Sequence, residues 1–322
     1  MRNDTLTAIP GLRVGHAVLP NGRSGCTVVL PDDGAVAGVD VRGGAPGTYG
    51  TDALNPINLV EAVHGLFFAG GSAFGLSVAD GVRDYLVEHK KGFNTAYARV
   101  PIVAGAIIFD LAVNDSHRYP DRELGYQACQ SASSAPVEEG CAGAGAGATV
   151  GKIFGESRAM KAGLGSACID GARGVKVAAL VVVNALGNIV DPSSGRALAG
   201  CRESEQGREI LDAEAQMEHL PELTGFSQPN ATVVGCVAAN VRLSKTQLTK
   251  VAQMSHDGLA RTIYPAHTML DGDTMFALSC GPLEGIDLTI LGALAARATA
   301  RAVVKAVLEA RSLTPYPAAS DL

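Results

Sequence analysis

The sequence predicts an α+β fold in which antiparallel sheets are covered, in layers, by helices. Three observations predict it. Strand-length apolar runs are closed by short turns rich in Gly, Pro and Asp, which is hairpin grammar. Elements run in blocks, strands then helices then strands then helices, and do not alternate strand by strand. Glycine is frequent, at 39 residues, and aromatics make up only 5%, a composition suited to tight turns and close backbone packing.

Each element follows from local chemistry. Cys26 to Leu30 reads as a strand closed by Pro31-Asp32-Asp33-Gly34, and Ala35 to Val41 as its hairpin partner, closed by Arg42-Gly43-Gly44. Leu66 to Ala69 is a strand that runs into Gly70-Gly71-Ser72, and a helix follows from Ala73 to Glu88. Val100 to Phe109 reads as a buried strand and Asp121 to Ser131 as a short helix. Gly140 to Lys152 tempts a phosphate-loop reading, but Ala146 and Ile153 stand where that motif needs Gly and Ser or Thr. It reads better as a glycine-lined strand or loop that another backbone approaches. Lys152, at its end, reads on sequence alone as a solvated surface lysine.

Val177 to Val183 is an uninterrupted apolar run ending at Asn184. From Arg202 to Glu222 the character changes: seven acidic residues stand against two arginines, which marks 201–229 as an exposed linker within one domain spanning 1–322. Ala231 to Ala239 is a buried strand. Ser244 and Gln247 form a capping box for a helix running to about Ile263, and Pro265 stops it. Asp271-Gly272-Asp273 leads into the strand Thr274 to Ser279, and 286–310 is a final Ala/Leu-rich helix.

Composition narrows the function. A net charge of -6 argues against a nucleic-acid partner. The seven cysteines include no CxxC, so neither a zinc site nor a disulfide framework is expected. No apolar run approaches the ~20 residues that span a bilayer, and the N-terminal residues contain no signal-peptide core, so a cytoplasmic protein without a membrane partner is expected. No cofactor motif is found. Asp271 and Asp273, two residues apart in extended chain, point to one face and need a cation or donors between them; alone, such a pair is more often a polar turn. His16, His256 and His267 carry no readable role beyond His267 bonding within the Asp271 turn.

The run from Asn230 to Gly281 closely resembles the C-terminal part of the DmpA-type L-aminopeptidase/D-esterase family, which includes β-peptidyl aminopeptidases and nylon-oligomer hydrolases. Gly11 to His16, Arg42 to Ala45, Ala69 to Leu76 and Gly143 to Lys152 fit it as well. The resemblance implies a four-layer αββα sandwich similar to N-terminal-nucleophile hydrolases. It implies an inactive precursor that cuts itself before a Ser or Thr, which then heads the smaller subunit, and assembly as a tetramer. Matched residue by residue, the junction is Asn230-Ala231, with 1–230 and 231–322 as the two subunits. The nucleophile position carries Ala231. Asp271 and Asp273 would hold the nucleophile, Asn184 would donate to the oxyanion, and Lys152 would supply positive charge. Phe109 stands where the nylon-oligomer hydrolases carry a Tyr, and with Gly70 and Gly71 it would face substrate.

Alanine has no hydroxyl, so three explanations compete: a substitution that traps an inactive precursor, a naturally non-catalytic relative acting in binding, or Thr232 acting one residue late. The first is preferred because the rest of the site is intact. The third is disfavoured because a one-residue slip in a strand turns the side chain to the other face. The implied activity is hydrolysis of small peptides or ω-amino-acid amides, with an ornithine-acetyltransferase-like acyl transfer as an alternative.

Overall fold

The computed structural model describes residues 3–114, 117–221 and 231–322. Two sheets pack face to face, with helices on their outer surfaces. The first sheet contains Leu12–Val18 (β1) and Gly25–Pro31 (β2). The second begins with Ala35–Val41 (β3). Gly65–Ala69 (β4) and Val103–Ile107 (β5) return to the first sheet, which runs β1-β2-β4-β5 and ends on the short strand Thr48–Tyr49. Leu164–Asp170 (β6), Lys176–Asn184 (β7), Thr232–Val241 (β8) and Thr274–Leu283 (β9) complete the second. Its order is β6-β7-β8-β9-β3, with Ala62–Val63 at the edge. Val78–Glu88 (α1) and Arg122–Gln130 (α2) cover the first sheet. Lys245–Ala260 (α3) and Leu288–Leu308 (α4) cover the second. The result is the expected αββα sandwich.

Burial explains the apolar runs. Val177, Ala179, Val181 and Val183 of β7 pack under α3 and α4 with Leu248, Val251, Leu291 and Val303. The alternate residues Ala178, Leu180 and Val182 face the other sheet, against Phe68 and Ala104. A strand buried on both faces loses its polar alternation. Val233 and Val237 of β8 likewise face the helices, and Val234, Cys236 and Ala238 face the first sheet.

Two expectations are corrected. β2 and β3 are not a hairpin, because they lie in different sheets and Asp32 to Gly34 turns the corner between them. Nor is every pairing antiparallel. β8 and β9 are parallel, as are β4 and β5. Each parallel pair is linked through a helix, α3 or α1, long enough for a crossover. The capping box is present in full: Ser244 accepts from Gln247 N–H and the Gln247 side chain returns to Ser244 N–H. That helix ends at Ala260, short of Ile263, which pairs as an edge strand with Ile189. The helix expected from Ala73 starts as a 3-10 turn, Ser72–Ser77. Of the acidic linker, Ala213–Met217 is helical, capped by Asp212, while Cys201 and Arg202 are buried. Its residues 222–229, and Asn230 of the expected junction, lie outside the described residues. No helix among the described residues is long and apolar enough to cross a membrane.

Candidate active site

The C-terminal end of β7 and the N-terminal end of β8 meet in the middle of the second sheet, and the expected residues gather there. Asn184 is fully buried. Its Oδ1 accepts from Lys152 Nζ at 2.7 Å and from Thr149 N–H at 3.1 Å, and its Nδ2 donates to the main-chain oxygen of Phe109 at 3.0 Å. Two donors on one side and an acceptor on the other fix which way the amide points. Lys152 is not a surface lysine, because it too is fully buried. Burial pushes its ammonium below the usual lysine range, and the negative charges of Glu156, Asp271 and Asp110 oppose that shift. Glu156 Oε1 lies 3.7 Å from Nζ.

Asp271 and Asp273 are both buried, which rules out the simple polar turn. Asp271 Oδ2 accepts from Thr268 N–H (2.9 Å) and Thr268 Oγ1 (2.6 Å), and Oδ1 from Leu186 N–H (3.4 Å). Burial, and then the charge of Asp273, pushes the Asp271 carboxyl up to about 6. Asp273 Oδ1 accepts from Val233 N–H at 2.8 Å, and Oδ2 from His267. His267 therefore serves Asp273, and it is Thr268 that closes the Asp271 turn. Arg42, Gly43 and Ala45 lie alongside: the N–H groups of Arg42 and Gly43 donate to Asp273 O, and that of Ala45 to Asp271 O. A Cβ at Gly43 would fall 2.2 Å from Asp271 O, so only glycine admits this approach.

The register decides which side chain these groups surround. Thr232 is the direct partner of Asn184 across β7 and β8. Directly opposed residues of an antiparallel pair project to the same face. Thr232 thus shares Asn184's face, while Ala231 packs with Ile153, Leu186, Cys201 and Ala213. The Thr232 hydroxyl donates to the carbonyl oxygen of Ala231, directly before it. That same oxygen accepts from Gly272 N–H at 2.9 Å. A Cβ at Gly272 would come within 2.9 Å of Thr232 Oγ1, so the glycine between the two aspartates leaves room for this side chain.

Phe109, Gly70 and Gly71 surround a carboxylate that the sequence reading missed. Asp110 Oδ2 accepts from Ser24 Oγ and Oδ1 from Gly71 N–H, each at 2.6 Å. Gly70 and Gly147 are held to glycine by it, since a Cβ at either would fall within 2.3 Å of Oδ2. Burial pushes Asp110 up to about 6, against the opposing pull of its two donors and of Lys152. The signal available in sequence is an acid that ends an otherwise apolar strand. Among the described residues, no group of three His, Cys, Asp or Glu side chains could hold a metal ion.

Comparisons with known proteins bear on the family and the fold. An uncharacterized aminopeptidase of Mycobacterium bovis is 41% identical over 99% of this chain and 98% of its own length. A 6-aminohexanoate-oligomer endohydrolase of Kocuria sp. is 32% identical over 92% of this chain and 84% of its own. A β-aminopeptidase of Burkholderia sp. superposes with a TM-score of 0.71 at 22% identity, covering 96% of this chain and 87% of that one. An L-aminopeptidase D-Ala-esterase/amidase of Ochrobactrum anthropi, described as a variant of the Ntn hydrolase fold, gives 0.70 at 19% identity over 96% and 86%. These two share the fold described above. The model of peptidase family S58 matches residues 4–318, and the chain belongs to that family.

Proposed function

We propose that this chain is an autoprocessing amide hydrolase whose nucleophile is Thr232 and whose scissile bond is Ala231–Thr232. Family membership supplies the class, amide hydrolysis. The observation that carries the finer reading is the hydroxyl of Thr232 on the preceding carbonyl, whose oxygen is also held by Gly272 N–H. Alanine at 231 is then the residue before the cut, not a lost nucleophile.

The chemistry follows in two stages. Thr232 Oγ1 adds to the carbonyl carbon of Ala231, and the negative charge that develops on its oxygen faces Gly272 N–H. The C–N bond breaks, the nitrogen gains the hydroxyl proton, and an ester remains. Water cleaves the ester to the carboxylate of Ala231 and a free Thr232. In turnover the new α-amine, with an ordinary pKa of about 8, takes the proton as Oγ1 attacks a substrate amide. It passes that proton to the leaving amine, and water releases the acyl group. Asn184, backed by Lys152, lies on the same face as the nucleophile and supplies polarity there. Asp271 and Asp273 fix the loop and strand on either side of it. Substrates are short peptides or ω-amino-acid amides, in keeping with the name of the Kocuria relative. Assembly as a tetramer of cleaved protomers belongs to the same proposal.

A denaturing gel and intact mass of the incubated chain test it. Fragments 1–231 and 232–322 are expected, with Thr232→Ala staying whole. A wild type that stays whole, while Ala231→Thr yields 1–230 and 231–322, returns the nucleophile to position 231 and overturns the proposal.

A further inference from the structure

Behind the two aspartates lies a row of ionisable groups that the chemistry above does not use. His267 sits at φ +58°, a region that residues with a β-carbon seldom occupy. That backbone turn aims two donors of one residue at one oxygen: its N–H lies 3.1 Å and its Nδ1 2.7 Å from Asp273 Oδ2. An ionised carboxylate only accepts, so Nδ1 carries the hydrogen. The other Asp273 oxygen takes the N–H of Val233, the residue after Thr232. One carboxylate thus ties the His267 loop to the first rung of β8.

The His267 ring meets His256 edge to face, with centroids 4.8 Å apart at 72°. His256, on α3, is fully buried. Its Nε2 lies 3.1 Å from Asp40 O and 3.4 Å from Asp40 Oδ2, both acceptors. Burial, with His267 and Arg42 adding to it, holds the His256 imidazole down to about 4, so it is neutral at neutral pH. Arg42 closes the row on Asp40 at 3.0 Å. His256 Nδ1 and His267 Nε2 are buried without a hydrogen-bond partner among the described residues. Orphaned buried nitrogens cost stability, so packing alone does not favour imidazole at either position. What each ring provides is its bonded nitrogen, aimed at an aspartate.

We infer that His267 is a positioning residue: it fixes the Asp273 carboxylate, and through it the start of the strand that carries Thr232, while His256, anchored on Asp40, holds the His267 ring. The inference rests on the reading of Thr232 as nucleophile. The groups facing the row are Asp40 from β3, Arg42 just after it, His256 from α3, and Asp271 and Asp273 ahead of β9.

The test compares wild type with His267→Gly and His267→Asn. Both substitutions tolerate the left-handed backbone, but only Asn places an N–H where Nδ1 stood. Self-cleavage is timed by gel and mass, and kcat and KM of the mature enzyme are measured on a panel of aminoacyl p-nitroanilides. His267→Gly is expected to slow both self-cleavage and kcat by about 10- to 100-fold, the range for one charge-assisted hydrogen bond, with KM moving far less. His267→Asn is expected to restore most of the loss. Thermal melting confirms that both variants are folded at the assay temperature. Wild-type rates in His267→Gly, or a folded His267→Asn as slow as His267→Gly, overturn the inference alone. A wild type that neither cuts itself nor hydrolyses an amide overturns the Thr232 reading, and the inference with it.

Discussion

Lys152 and Lys161 are both fully buried, and both lie on the segment where Thr149–Val150 pairs with Met160–Lys161. Their partners set them apart. Lys161 Nζ donates to three main-chain carbonyls, those of Gly145, Ala148 and Ala162. Its three hydrogens are matched by three acceptors, so it staples the glycine-rich loop and has nothing left to offer a ligand. Burial holds it down to about 8. Lys152 instead makes its short bond to a side chain, the Oδ1 of Asn184, with a longer one (3.4 Å) to the same residue's main-chain oxygen, Glu156 near, and the charges of Asp271 and Asp110 around it. Equal burial and equal chemistry thus give a structural cation in one place and a candidate site cation in the other. What separates them is whether the acceptors are main-chain oxygens alone or include a side chain.

Removing each charge in turn separates the two roles. Lys161→Met leaves three buried carbonyls without their donor and is expected to cost about 3–5 kcal/mol of stability, read by denaturant unfolding. Lys152→Met is expected to cost less, about 1–3 kcal/mol, because Asn184 Oδ1 keeps Thr149 N–H as a donor. It should instead lower self-cleavage and amide hydrolysis by about 100- to 1000-fold. A Lys152→Met that unfolds, or a Lys161→Met that folds normally but does not hydrolyse, would exchange the two roles.

Asp110 offers a smaller and subtler test. Its carboxyl is raised to about 6, so the stability it contributes is complete below about pH 4, near the unfolded value, and is lost as pH rises through 6. His16 and His256 are both held down to about 4 by burial and run the other way: their contribution is present above about 6.5 and lost as pH falls through 4. In wild type the two trends offset each other over that window. Asp110→Asn can keep an acceptor for Gly71 N–H and turn its amide toward Ser24. It should gain stability from pH 4 to 6.5 more steeply than wild type, by about 2 kcal/mol across the range, in unfolding curves taken at several pH values.

The legible parts of the sequence were those decided by neighbours along the chain. Ala35–Val41 has the expected bounds, and the Ser244 capping box is complete, because turn and cap chemistry act within three or four residues. Asn184 was singled out only through the family resemblance, and the structure buries it at the end of the apolar run. The corner between β2 and β3 was not legible, since Asp-Asp-Gly serves a hairpin and a sheet corner equally well. Only the long-range choice of sheet separates the two. Lys152 looked like a surface residue because its partner Asn184 lies 32 residues away in sequence. The phase of β8 was the hardest feature to read. A run such as Thr-Val-Val-Gly-Cys-Val has no polar alternation to say which residues face which layer, so position 231 or 232 could be chosen only through the register against β7.

That register has a consequence for the whole molecule. β8 and β9 are interior strands of the second sheet, and they bring both of its long helices with them. A cut between Ala231 and Thr232 would create a new chain end inside the sheet, flanked by β7 on one side and by the Asp271 segment on the other. Ordinary termini fray, but this one would be held from birth. Neither fragment would own a complete core, so the two could not part without both unfolding. Refolding of the intact precursor is unimolecular. Refolding of the cut form would be a meeting of two chains, slower on dilution and dependent on concentration. A single broken peptide bond would thus leave the native fold in place while making the route back to it far harder.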